Sequence, residues 1–572
     1  MARDLLELLE QQGELDPAEV DQIKKRQRRG NVSVPQALIG HGKLSQSIIY
    51  KALADANKLP FVELSKGGVT EEAVKKVSAK VAFHYKIMPI SIEGGVLTLA
   101  FSEPPDVRQR ENLRMLLSMR IRPAIAAPND ISHSAKKHYG LGADTVLAIR
   151  SDRATFSRFD DGGYDRDTAQ DIELEEGDAS ITSLVNQILA EALEMKATDV
   201  HIEPFEDTVR LRYRIDGFLR EIALPPGLRE LHASIISRMK IMADLNIAEK
   251  RLPHDGRIKL VIAENEFDLR VSILPTRFGE TLNLRILNRD NIFFDLERLG
   301  LEKEQYQLLL KLLDLPHGMI LVTGPTGSGK TTTLYASLAK TDKDTRKVIT
   351  VEDPVEYQLY GISQIQIHES IGLTFASCLR SILRHDPDIV LVGEMRDSET
   401  AEIGIRAALT GHLVLSTLHT NDSVGAINRL IDMGVEPFLV ASSLSASLAQ
   451  RLVRRICPYC KVPQTDIPDA VALEMGDALD CDADDVQAWI GEGCNECTGI
   501  GYVGRVAIYE FFLMDEDLRD MVSRHANTNE LRSAGIRSGM HTLRDDGWRK
   551  VAKGDTSIEE VQRITTAAQL RY

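Results

Sequence analysis

Six cysteines in 572 residues are too few to staple a chain of this size, which excludes a disulfide scaffold. Long apolar runs are missing as well. No stretch approaches the roughly 20 residues that span a bilayer, and the opening Met1-Ala2-Arg3-Asp4 lacks the apolar core of a signal peptide. The expectation is a cytoplasmic chain. Positive charge is outnumbered: 69 Lys and Arg against 85 Asp and Glu leave a formal net charge of −16. A non-specific nucleic-acid translocase displays a basic channel, so the balance speaks against nucleic acid as a partner, although one basic face fits within an acidic total. Hydrophobic content of 43% and charged content of 27% are those of ordinary globular protein. The length exceeds what one core organises, so roughly three to five domains are expected.

What is present begins with a phosphate loop. The apolar run Ile320-Leu321-Val322-Thr323 leads into Gly324-Pro325-Thr326-Gly327-Ser328-Gly329-Lys330-Thr331-Thr332. Gly324, Gly327 and Gly329 let backbone N–H groups curl around oxyanions without a Cβ clash. Lys330 is placed to reach the outer phosphates and the Thr331 hydroxyl to ligate Mg²⁺. The helix that follows turns its positive dipole end to the same anion. The reading is a nucleoside triphosphate site.

Three later blocks fit the same site. Ile349-Thr350-Val351 ends in Glu352-Asp353-Pro354-Val355-Glu356, and Ile389-Val390-Leu391-Val392 ends in Gly393-Glu394. Continuous apolar strands belong in a parallel sheet covered on both faces, whose ligands sit at the carboxyl ends of the strands. A carboxylate there can orient a water and accept its proton. Leu413–Leu418 leads to His419, whose strand-end position favours a sensor of the terminal phosphate over a structural residue, while His412, preceding the strand, can equally be either.

The rest of the chain divides by pattern. Residues 1–59 hold a repeat in which Leu5, Leu9, Gly13, Leu15 and Val20 recur as Val34, Leu38, Gly42, Leu44 and Ile49, each copy reading as two short helices broken at a glycine. The basic run Lys24–Arg29 reads as a solvated helix end or a phosphate or lipid patch. Residues 60–140 form a small α/β unit, with strands at Ile87–Ile92 and Val96–Phe101 and a helix near 106–119. Residues 141–178, with Asp160-Asp161-Gly162-Gly163 and Glu173–Asp178, read as an extended acidic linker. A second α/β domain is expected over 179–300, with strands Val209–Ile215 and Phe267–Ile273. In the first, period two puts Arg210, Arg212 and Arg214 on one face. Asp199, His201 and Glu203 also share a strand face, which imitates a metal triad but has no adjoining ligand cluster. The phosphate-loop domain spans 301–572, with an insert at 451–505 and a helical tail. In the insert, Cys457-Pro458-Tyr459-Cys460 and Cys494-Asn495-Glu496-Cys497 make two knuckles able to complete a Zn²⁺–S₄ site, with a small subdomain between them. Cys378 and Cys481 have no partner spacing.

In order, the phosphate loop, Thr350–Glu356, Leu391–Asp397 and Gly411-His412 with Thr417–Thr420 closely resemble the four signature boxes of secretion-superfamily ATPases. Within them the chain is similar to the motors of type II secretion and type IV pilus assembly, from about residue 180 to the end. The resemblance implies a RecA-like ATPase domain preceded by a PAS-like α/β domain, a homo-hexamer, and nucleotide bound between the two. It makes Glu394 the catalytic glutamate, with Glu352 beside it acting on Mg²⁺ or water. It also assigns arginines of the second domain to the nucleotide, with Arg212, Arg214, Arg257, Arg270 and Arg285 as candidates. Further implications are an inner-membrane platform protein as partner, a membrane-anchored docking protein, and peripheral association with the inner membrane through them. The cysteine motif matches assembly motors better than retraction or DNA-uptake motors. The N-terminal repeat resembles modules that bind cyclic di-GMP through a motif opening with Arg-Leu-Gly and closing with Gln. Here the openings are Asp4-Leu5-Leu6 and Ser33-Val34-Pro35, and the closing Gln27 becomes Ala56, so the guanidinium contacts are lost. A docking role and a cyclic di-GMP role both stay open.

Overall fold

A computed structural model describes the chain apart from residues 1–4, 31–32, 42, 45, 65–66, 144, 147–165, 263–264, 289–294, 495 and 570–572. It forms two units, Met1–Asp290 and Asn291–Tyr572.

The first unit opens with helices Leu5–Gln11, Pro17–Gly30, Val34–His41 and Gln46–Asn57. Their repeated apolar positions, including Leu5, Leu9, Val20, Leu38 and Ile49, share one core. Gly13 (φ +76°) takes the left-handed turn between the first two helices. Its counterpart Gly42 lies outside the described residues, as do Asp4 and the Asp160–Gly163 stretch. Arg26, inside the basic run, donates to the Gly40 carbonyl at 2.5 Å, and Lys43 bonds Glu19 at 2.7 Å, so both tie one copy of the repeat to the other.

Next come β1 (Ile87–Glu93), β2 (Val96–Phe101) and β3 (Arg120–Ile125), a sheet of order β1-β2-β3. Val107–Leu117 is a helix capped by Asp106, whose Oδ1 accepts from Gln109 N at 2.6 Å. A helix also spans Arg166–Glu194, through the second half of the stretch expected as a linker. The acidic composition masked good helix formers, and Ile181, Leu184, Val185 and Ile188 anchor the C-terminal half in a core.

That core belongs to a six-stranded antiparallel sheet: β4 (Asp199–Pro204), β5 (Val209–Ile215), β6 (Phe218–Ile222), β7 (His254–Ile262), β8 (Asn265–Thr276) and β9 (Gly279–Asn288), in the order β6-β5-β4-β9-β8-β7. Alternation gives each strand one buried face: Val200, Ile202, Leu211, Tyr213, Val271, Ile273, Leu282 and Leu284 pack on helix Leu228–Met242 and residues 181–192. The arginines occupy the opposite face.

The second unit is built on a seven-stranded sheet. Its strands are β10 (Gly318–Thr323), β11 (Val348–Glu352), β12 (Ser363–Gln366), β13 (Ile389–Val392) and β14 (Leu413–Leu418), then β15 (Leu444–Ile456). The insert contributes the two-stranded ribbon β16 (Lys461–Pro463) and β17 (Trp489–Gly491), and β18 (Tyr502–Leu513) returns to the main sheet. The order is β12-β11-β13-β14-β10-β15-β18, parallel except for β15 against β18. Both faces are covered, as the continuous apolar runs require: Met319, Leu321, Val390 and Val414 face one layer, Ile320, Val322, Leu391 and Leu415 the other. Each such side chain contributes about 1.5–3 kcal/mol of burial. Leu296, expected in the preceding domain, is fully buried in the second layer. In the insert, helix Asp469–Leu479 packs Val471 and Met475 against Trp548, Val551 and Val561 of the helical tail.

Candidate functional site

The phosphate loop sits where the sheet's strands end. β10 stops at Thr323 and helix Lys330–Lys340 starts after Gly329, whose φ of +91° only glycine adopts without strain. Pro325, Thr326, Gly327, Thr331 and Thr332 are exposed, while Ser328 and Lys330 are buried. The Ser328 hydroxyl is buried without a partner among the described residues, and the first amides of the helix are orphan donors by construction. Both suit an oxyanion. Lys330 Nζ donates to the Gly324 carbonyl at 2.6 Å and to Pro325 O at 3.2 Å. Burial, with the charge of Arg451, pulls its pKa down to about 8 against the opposing pull of Glu394.

Glu394, one residue beyond Gly393 at the end of β13, is the centre of a cluster. Arg396 Nε donates to its Oε2 at 2.8 Å, and His419 Nε2 lies 3.2 Å from Oε1. Burial, together with the charges of Lys330 and Arg396, lowers the His419 pKa despite Glu394, which leaves the ring neutral at pH 7. The facing carboxylate selects the tautomer with the proton on Nε2. Arg396 also reaches Asp353 at 3.6 Å, a contact the motif spacing does not disclose. Gly393 N donates to Val351 O at 2.8 Å, and Thr417 Oγ1 donates to the Gly393 carbonyl at 2.7 Å, so β11 and β14 fix the backbone that carries Glu394.

Glu352 is the last residue of β11, the neighbour of β13, with its side chain directed inward. It is 4% exposed, and its carboxylate accepts from the hydroxyl of Tyr335, from Thr350 Oγ1 at 2.5 Å and from Gln364 Nε2 at 3.2 Å. A strand-end position does not say which way a side chain turns. Here it turns into the core and ties β11 to the helix behind the phosphate loop. His412 is turned away too: its Nδ1 lies 3.0 Å from Ala407 O, at the end of helix Ser398–Leu409.

On the six-stranded sheet of the first unit, register gathers the arginines. Arg214, Asp199, Arg285, Arg270 and Arg257 stand directly opposite one another across β5, β4, β9, β8 and β7. One carboxylate thus stands in a row with four guanidinium groups, two of which it pairs with directly. Asp199 takes Arg285 at 3.1 Å and Arg214 at 3.6 Å, and Arg212 in the adjoining row pairs with Glu203 at 2.5 Å. The acids of the Asp199-His201-Glu203 face are therefore ion-pair partners, and the metal-triad imitation dissolves. Arg257, Arg270 and Arg285 line a shallow recess with Ser272 and Asn283.

The four knuckle cysteines converge in the second unit. Their sulfurs all lie within 4.8 Å of one another, with Cys457–Cys494 at 3.7 Å and Cys460–Cys497 and Cys494–Cys497 at 3.8 Å. A tetrahedral ion with metal–sulfur bonds of about 2.3 Å requires sulfurs about 3.8 Å apart. Backbone amides support the thiolate form: Gly493 N donates to Cys460 Sγ at 3.3 Å, and Cys494 N and Gly501 N each donate to Cys497 Sγ at 3.1 Å. The donor set fits zinc. Cys378 is buried apart from this group, and Cys481 is exposed.

Comparison with known proteins gives the family of the chain. The sequence profile of the type II/IV secretion system protein family matches residues 174–563, and that of the MshEN domain matches residues 57–145. The chain is 39% identical over 565 residues, 98% of each chain, to the type IV pilus assembly ATPase PilB of Myxococcus xanthus. It is 41% identical over 540 residues, 93% of each, to the type II secretion system protein E of Xanthomonas campestris. Among solved structures, the Legionella pneumophila ATPase DotB shares the fold, with a TM-score of 0.50 at 21% identity over 68% of this chain and 96% of that one. A family match across more than half of the chain, with relatives at 39–41% identity along almost all of it, makes this protein a member of the type II/IV secretion system family and one of its ATPases.

Proposed function

We propose that the chain is a cytoplasmic motor that works as a homo-hexamer, hydrolysing ATP to drive assembly of type II secretion pseudopili or type IV pili. It acts through an inner-membrane platform protein, with a membrane-anchored docking protein as a second contact. No helix among the described residues is long and apolar enough to cross a membrane, which suits attachment through partners.

One observation carries the hydrolytic part: Lys330, Glu394, Arg396 and His419 meet at the carboxyl ends of the parallel strands of a single sheet. Glu394 accepts the proton of the attacking water while Arg396 and neutral His419 hold its carboxylate in place. Lys330 and the loop amides bind the outer phosphates, and the exposed Thr331 hydroxyl holds Mg²⁺. That ion neutralises phosphate charge when bound. Glu352 positions β11 and the helix bearing Tyr335 rather than meeting the water. The arginine row supplies guanidinium groups to nucleotide phosphates, with Arg257, Arg270 and Arg285 favoured by their shared recess and Arg212 committed to Glu203. The cysteine group holds zinc and supports the assembly class.

Glu394→Gln tests the reading. The amide keeps an acceptor for Arg396 and a similar volume, so the fold and nucleotide affinity should persist. Removing a general base should lower kcat by about 10²–10⁴. Phosphate release at the parental rate by the folded variant would sink the proposal.

A further inference from the structure

β15 carries a second buried cation, outside the phosphate-loop motif. Arg451 is 6% exposed, and a permanently charged guanidinium needs partners at that depth. Its partners are uncharged oxygens. Nη2 donates to Asn421 O at 2.7 Å and Oδ1 at 3.3 Å, and Nη1 donates to Gln450 O at 3.1 Å. Asp422 and Glu510 act on it through space, without an ion pair among the described residues.

The same Nη1 lies 3.0 Å from the point a Cβ on Gly324 would occupy. The guanidinium therefore sits against two backbones, the first glycine of the phosphate loop and the turn two residues beyond His419. That turn is anchored on its other sides as well. Asp422 O accepts from Thr323 Oγ1 at 3.3 Å, the Asp422 carboxylate takes Gly425 N at 2.7 Å and Arg532, and Ser423 N donates to Glu510 at 2.9 Å. A displacement of the loop at Gly324 is thus passed by one rigid side chain to a turn that cannot drift independently.

We propose that Arg451 is a positioning residue for hydrolysis: it holds the Gly324 end of the phosphate loop in register with the His419–Asn421 turn, and so sets Lys330 against Glu394 and His419. The assignment rests on the hydrolytic reading above. Arginine suits the task because its planar fork bonds the turn through Nη2 while Nη1, held by Gln450 O, packs against Gly324, whereas an ammonium on a flexible stem satisfies one direction at a time.

The test uses the full chain with R451K and R451M, measuring steady-state MgATP hydrolysis, ADP affinity by titration and the thermal midpoint. R451K keeps the charge and should keep ADP affinity and KM within about threefold, yet lose at least about tenfold in kcat, since ångström misplacement of reacting groups costs up to about 10²-fold. R451M should lose at least as much. The assignment is overturned if R451K turns over within twofold of the parent, or if its loss lies wholly in KM. Should R451M fail to fold, R451K decides alone. A parental chain without turnover would sink the hydrolytic reading along with this one; a parent and R451K that are equally active would sink only this one.

Discussion

Gly324 and Gly327 both stand in the phosphate loop with positive φ, +150° and +79°, yet alanine should be tolerated very differently at the two. A Cβ at 327 meets nothing within 4 Å, so Gly327→Ala costs the left-handed conformation alone. That is about 1 kcal/mol, or roughly fivefold in nucleotide affinity. At 324 the Cβ would lie 2.5 Å from Ser328 Oγ and 2.7 Å from Gln450 O. The hydroxyl can rotate; the carbonyl is held in β15. Reaching ordinary contact at 3.4 Å requires loop and strand to part by about 0.7 Å (3.4 − 2.7). Backbone strain of about 1–3 kcal/mol is then added to a misplaced loop, and the combined loss should exceed about 100-fold in affinity and rate. Titration with a fluorescent ADP analogue, alongside phosphate release, measures both. Alanine variants at 324 and 327 that bind within threefold of each other would refute the reasoning, because backbone angle alone does not separate them.

Three further outcomes are expected. Lys330 carries its charge below a pKa of about 8 and loses it as pH rises through that value, so kcat/KM for MgATP should fall about tenfold from pH 7 to pH 9. A flat profile, or the same limb in Lys330→Arg, contradicts this. The purified chain should hold one zinc, and Cys460→Ser should strip most of it and lower the thermal midpoint; metal analysis showing none, with all four thiols reactive, refutes the clamp. Arg257→Gln should reduce kcat at least about tenfold, while Arg212→Gln, which breaks the pair with Glu203, should cost about 1 kcal/mol of stability and little turnover. Equal kinetic losses would remove the distinction.

Much of the site was legible because covalent order carries it. β10, Gly324–Thr331 and the helix after them are consecutive, and the apolar runs ending at Glu352 and Glu394 are the neighbouring parallel strands β11 and β13. Arg210, Arg212 and Arg214 were assignable to one face by alternation. Their alignment with Arg285, Arg270 and Arg257 was not, since it depends on β4 pairing with β9 across the sheet, where Arg285 meets Asp199 from 86 positions away. Arg451 escaped for a similar reason: only the approach of β15 to β10 brings it beside Gly324. Glu352 was legible as the end of its strand; the bonds its carboxylate takes from Tyr335 and Gln364 were not, because they depend on how separate elements pack. The helix at Arg166–Glu194 was missed because charge outweighed helix propensity in reading the stretch.

The cysteine clamp changes the topology of its own neighbourhood. Cys457 directly follows β15, and Cys497 receives Gly501 N just before β18 begins. A detour of several dozen residues between two paired strands would ordinarily leave their far ends free to fray. With zinc bound as proposed, four sulfurs gathered on one ion would reduce that detour, for the strands, to the equivalent of a tight hairpin. The ribbon and helix within the detour can then vary in length or surface chemistry without slipping the β15–β18 alignment that keeps Gln450 and Arg451 beside the phosphate loop.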